Sequence, residues 1–233
     1  MSSAEDIQAF ILHCERTLDL AAIKPFTEFY QHLPLCVIDA VFSMGVRYTS
    51  TQQVVERFCQ HANLTGMGTT KQPSITKQFS IHQLTALYKQ HSVEWLTENI
   101  YCNRQRTSTK NGILKSEAVG LFSQVLLDFG VNYLQDVVKV MSDKTFEDAI
   151  KAIPGQSSGT CLRYFYILAG SDDHIKPDRM VMRFVYDATG KWFSVDECHA
   201  LIIEACKVLA TQYPAITPSA LDNAIWNYQR LQK

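Results

Sequence analysis

Between its prolines and glycines this chain of 233 residues repeats with a helical period almost everywhere, and no run alternates long enough to specify a strand. Ile7, Phe10, Ile11, Cys14 and Leu18 recur at the i, i+3, i+4, i+7 spacing of one helix face. "LPLCVIDAVFSMGV" is apolar on most sides, which suits a central, buried helix. "STQQVVERFCQ" follows, beginning on Ser50 or Thr51. Ser80 with Gln83 and Ser194 with Glu197 form capping-box patterns, Ser92 can cap "VEWLTENIY", and Thr217-Pro218 opens a last helix. Gly130 ends "SEAVGLFSQVLLDFG", two short helices are expected over 131–141 and "TFEDAIKA", and Pro177 stands at a first-turn position of "PDRMVMRFVYDATG". The fold class is therefore all-α, with loops at 62–78 and 102–112.

Composition narrows the function classes. Hydrophobic content of 46% with 19% charged residues describes a folded globular protein, and a formal net charge of −1 gives no global attraction to nucleic acid or acidic lipid. Any such site must be a local patch. The acidic start "MSSAEDIQAF" lacks the basic and then apolar pattern of a secretory signal, and no apolar run reaches a membrane span, so a cytoplasmic location and no membrane partner are expected. The seven cysteines are scattered without a CxxC pair, which suits reduced core thiols and specifies neither a metal site nor a cofactor.

The stretch "IPGQSSGTCLRYFYILAG" joins one predicted helix to another through small residues. At such a junction the first backbone N–H groups of the second helix lack intrahelical partners, and Gly155, Gln156, Ser157, Ser158, Gly159 and Thr160 form a turn that another backbone can approach. A nucleic-acid phosphate suits that environment; an ordinary connection between packed helices would read the same way.

Further residues extend the pattern. "LKSEAV", then "IPGQSSGT" roughly forty residues on, then "KPDRMVMRF" resemble, in order and residue type, the helix-hairpin-helix DNA glycosylase superfamily. "LPLCVIDAVFSMGVRYTSTQQVVERF" is similar to that family's early buried helix, its break and the next helix. The resemblance covers residues 30 to 187. It implies a two-lobed helical glycosylase-like fold over 1–233, with a central lobe at 30–140, a second lobe from 1–29 and 141–233, a hairpin at 145–169 and a catalytic segment at 174–186.

The resemblance also implies a monofunctional DNA glycosylase that flips a damaged or modified base out of double-stranded DNA and hydrolyses its N-glycosidic bond in base excision repair. Asp178 falls at the place of the family's catalytic aspartate, and Arg183 keeps the family's spacing after it. A carboxylate there would stabilise an oxocarbenium-like sugar and activate water. Tyr48, Tyr101, Trp95 and Asp39 are candidates for the base pocket or wedge, Arg47, Arg104, Arg106 and Lys115 for phosphate contacts, and His174 for a supporting position. Asp39, in the most apolar helix, is equally suited to a structural hydrogen bond.

The chain also departs from the family. Ser157 replaces the hairpin's second glycine, Gly159 stands where lyase members carry a Schiff-base lysine, the gap-filling position falls near Gly45, and the cluster-binding cysteines are absent. Lyase activity by that route is not expected, although Lys176 lies close to Asp178 in sequence. The alternative is a non-catalytic DNA-binding module that keeps the hairpin's phosphate site.

Overall fold

The computed structural model describes residues 3–232 and is built from α-helices, as the periodicity requires. The chain divides into two compact units, Glu28–Gly170 and a second one formed by the segments before residue 28 and after residue 170.

The Glu28–Gly170 unit is organised on α2 (Leu33–Phe42), every residue of which is buried. A helix apolar on all sides must be surrounded, and α3 (Tyr48–Ala62), α4 (Ile81–Gln90), α6 (Lys115–Asp128) and α8 (Thr160–Leu168) pack against it. Between these, α5 (Val93–Leu96) continues into a wider π turn over Thr97–Tyr101, and α7 (Lys144–Lys151) precedes α8. Residues 131–141, expected as a short α-helix, instead hold a 3-10 turn at Leu134–Lys139. The 62–78 loop carries a two-residue strand, β2 (Met67–Gly68), paired antiparallel with β1 (Phe29–Tyr30). Two residues are too few to print an alternating pattern.

Residues 141–170, expected with the terminal segments, belong to this unit. Phe146, Ile150, Ile153, Leu162 and Phe165 are buried in the same apolar core as α2 and α6, with Phe165 against Phe122 at 5.1 Å between ring centroids.

The other unit comprises α1 (Ala4–Thr17), α9 (Arg179–Thr189), α10 (Val195–Gln212) and α11 (Pro218–Leu231). α1 packs on α9 and α10, and α11 packs on α9. Phe184 sits at the centre, edge-on to Phe10 at 5.8 Å and to Tyr228 at 5.8 Å. Both expected capping boxes form, at Ser80–Gln83 and Ser194–Glu197, and Thr217 caps α11 with Pro218 in its first turn. Two helix starts differ from expectation. α3 begins at Tyr48 with Arg47 as N-cap, and Pro177 lies before α9 because Asp178 takes the N-cap position, which its carboxylate fills better than an internal one. Among the described residues no helix is long and apolar enough to cross a membrane.

Candidate functional site

The junction between α7 and α8 is a pair of tight turns. The Gln156 N–H donates to the Ile153 carbonyl at 2.9 Å, and the Gly159 N–H donates to the Gln156 carbonyl at 3.0 Å. Gly155 and Gly159 both adopt left-handed backbone, at φ +86° and +73°, and Gly159 is the N-cap of α8. A Cβ on Gly155 would lie 2.5 Å from the Thr107 Cβ, so glycine is also what lets the 102–114 loop pack on the turn. A Cβ on Gly159 would meet Lys151 Cε at 2.8 Å and Arg163 Nη1 at 3.2 Å. Arg163 and Lys151, the latter paired with Glu147 at 2.5 Å, therefore close over the start of α8, where the helix dipole favours an anion.

The six turn residues do not share one environment. Ser157 and Ser158 are exposed, with Ser158 Oγ accepting from the Thr160 N–H at 3.3 Å, whereas the Gln156 side chain is buried and its Oε1 has no hydrogen-bond partner among the described residues. Thr160 is buried at the first position of α8.

Asp178 caps α9 with one oxygen. Its Oδ1 accepts from the Met180 N–H at 2.8 Å and the Val181 N–H at 3.2 Å, leaving Oδ2 without a hydrogen-bond partner among the described residues. The segment leading to it is pinned by α11. The Ser219 N–H donates to the Asp172 carbonyl at 3.1 Å, and the Lys176 N–H donates to Asp222 Oδ1 at 3.0 Å. His174 Nδ1 lies 2.7 Å from Ser171 Oγ and steadies the same segment. Arg183 is held against α11, its Nε donating to Gln229 Oε1 at 2.7 Å.

Asp222 belongs to none of the sequence patterns above. Burial pushes its carboxyl up to about 8, with the neighbouring Asp178 charge acting in the same direction and the Lys176 N–H opposing both. At neutral pH Asp222 is therefore largely protonated. A signal for Asp222 was present: Leu221, Asp222, Ile225 and Gln229 share the buried stripe of α11, and an acid on such a stripe needs a reason.

In the other unit, Asp39 and Tyr48 come together. Asp39 Oδ2 accepts from the Tyr30 hydroxyl at 2.9 Å and the Tyr48 hydroxyl at 3.3 Å, and the Tyr164 phenol lies beside Tyr48. Burial and the Asp39 charge push both the Tyr30 and Tyr48 phenols up, so they remain donors at neutral pH. The cluster gives one oxygen of a buried carboxylate two phenol donors.

Four other candidates sit where their expected roles do not fit. Tyr101 is in the core, within hydrogen-bond distance of the Tyr88 hydroxyl at 2.9 Å and stacked parallel to Phe58, because the π turn rotates it inward. Lys115 is buried, and its Nζ donates to the Phe42 and Met44 carbonyls, both at 2.8 Å. It satisfies the C-terminal end of α2 and is not available to a phosphate. The Arg104 guanidinium pairs with Glu98, and Arg106 Nη1 donates to the Gly112 carbonyl at 2.7 Å, closing its own loop. Arg104, Arg106 and Lys115 are thus all engaged within the protein. Trp95 remains on the surface, stacked on His91 at 3.8 Å, and Arg47 is exposed at the start of α3. Among the described residues no group of three or more His, Cys, Asp or Glu side chains is placed to hold a metal ion.

Fold and geometry define an all-helical protein with a glycine turn at the start of one helix and a singly capped, half-open aspartate at the start of another. The chain belongs to the family described as domain of unknown function DUF8548, whose model matches residues 8–230. No curated protein and no solved structure matches it.

Proposed function

We propose that this protein is a monofunctional DNA glycosylase with a helix-hairpin-helix motif at α7–α8, acting on a damaged or modified base flipped from double-stranded DNA. The observation that carries the proposal is Asp178, fixed at the start of α9 by two amide donors to Oδ1 while Oδ2 stays open. As the C1′–N bond breaks, its electron pair leaves with the base and positive charge develops on the sugar. The Asp178 carboxylate stabilises that charge and accepts a proton from the water that adds to C1′. Asp222, neutral beside it, adds no competing charge while its oxygen positions the Lys176 backbone.

The α7–α8 turn supports the same proposal. Gly155 and Gly159 supply the left-handed turns that start α8, and Lys151, paired with Glu147 at 2.5 Å, and Arg163 lie beside that start, where a phosphate would sit. Gly159 offers no amine, so no Schiff base forms from that position and the product would be an abasic site.

A second reading, a DNA-binding module without chemistry, is favoured by the fact that capping α9 is a sufficient structural use for Asp178. Asp178→Asn separates the two. Asparagine caps a helix nearly as well as aspartate but carries no charge. The glycosylase proposal expects the variant to bind DNA and to release base at least about a hundredfold more slowly, measured as free base by mass spectrometry; equal behaviour of both proteins in all assays would leave the binding module.

A further inference from the structure

α9 buries Val181, Phe184 and Val185 and turns a different face to solvent. Arg179, Arg183 and Tyr186 recur on that face at i, i+4 and i+7, and all three are exposed. Gly190, at φ +69°, then ends the helix and folds the chain back, so that Trp192 stacks on Tyr186 with ring centroids 4.6 Å apart and planes 20° from parallel. Despite that contact Trp192 is 67% exposed, which leaves the outer face of its indole open.

The charges on this face are arranged unequally. Arg179 has no hydrogen-bond or ion-pair partner among the described residues. Arg183 and Asp187 are both held by the Gln229 amide, which accepts from Arg183 Nε at 2.7 Å and donates to Asp187 Oδ2 at 3.0 Å. Lys191 pairs with Asp6 at 2.6 Å and stays largely exposed. Asp187 is thus engaged, while Arg179, next to Asp178 in the chain, is unengaged.

We propose that the solvent face of α9 is a stacking platform for an unpaired nucleobase of a DNA strand, with Arg179 and Arg183 holding the flanking phosphates. An open indole backed by a second ring accepts any base face, and two cations in line with it track the backbone. Tyr186 supports the indole so that the ring is ordered before a base arrives, which lowers the cost of binding. At about 1.5 Å of rise per residue, Arg179 and Tyr186 are separated by ~10 Å along the helix, or roughly three stacked nucleotide steps. The platform lies on the helix that Asp178 caps, and it rests on the proposed DNA reading only in requiring nucleic acid as the ligand.

The test is equilibrium binding of a fluorescent oligothymidylate of about fifteen nucleotides to the full chain over a series of salt concentrations, with base release assayed in parallel. Trp192→Ala should weaken binding about tenfold, Trp192→Phe should stay close to the native protein, and Arg179→Ala should lower the slope of log affinity against log salt by about 0.7. Unchanged melting temperatures would confirm that these exposed substitutions leave the fold intact. Native-like binding by both alanine variants overturns the platform. So does a native dimer that Trp192→Ala makes monomeric, since the rings would then serve a protein contact. If Asp178→Asn changes nothing while Trp192→Ala loses the oligonucleotide, glycosylase chemistry fails and the platform stands.

Discussion

Asp222 is a carboxylic acid that the fold keeps protonated. Its native pKa of about 8 lies far above the roughly 3.9 of an unfolded aspartate, so between those values the native state binds a proton that the unfolded state has lost. The associated stability is fully present below about pH 4 and is lost as pH rises through about 8. Asp222→Asn, neutral at every pH, should therefore flatten the fall in urea midpoint between about pH 5 and pH 8; parallel curves for the two proteins would mean that Asp222 is ionised at neutral pH. Lys115 makes the complementary case. If it caps α2, Lys115→Met removes donors from two carbonyls and should cost about 2–4 kcal/mol of stability in chemical denaturation. A phosphate-contact lysine would instead lose DNA affinity at constant stability. The sequence does not show that Lys115 is buried, because its acceptors, the carbonyls of Phe42 at the end of α2 and of Met44 just beyond it, lie more than seventy residues away.

At the scale of elements, local signals were read well where the interaction is local. Ser80–Gln83 and Ser194–Glu197 cap their helices because a hydroxyl and an acid or amide three residues on need no tertiary help. α9 starts two residues later than Pro177 suggests, because a proline and an N-cap aspartate both suit a helix start and the two signals compete. The glycines permit a quantitative check. Gly45 and Gly155 both have left-handed backbone, but a Cβ on Gly45 meets nothing within 4 Å while one on Gly155 strikes Thr107. Gly45→Ala should cost about 1 kcal/mol, from backbone strain alone. Gly155→Ala should cost more than that and loosen the turn against the 102–114 loop, both read as shifts in melting temperature. Equal effects would show that Thr107 moves aside freely.

For the whole molecule, the all-α class followed from the helical period, and α2 was recognisable as the central helix because all its faces are apolar. The division of the chain was less legible. Residues 141–170 join the unit of α2 through Phe146, Ile150, Ile153 and Phe165, and nothing in "TFEDAIKA" or "TCLRYFYILAG" says which apolar surface those side chains will cover. Of the candidate site, the turn glycines and Asp178 are visible in the sequence as a pattern, the pairing of Asp39 with Tyr48 is not, and Tyr101 reads as a pocket or wedge residue because a π turn has no sequence period of its own. Asp222 escaped notice for a related reason, since its partner is the Lys176 backbone. The most direct measurement is release of free base from a panel of damaged, mismatched and naturally modified duplexes by the native protein and by Asp178→Asn. A base set free by the native protein and at least about a hundredfold more slowly by the variant is the expected result. No base released from any duplex, with both proteins binding DNA equally, would contradict it.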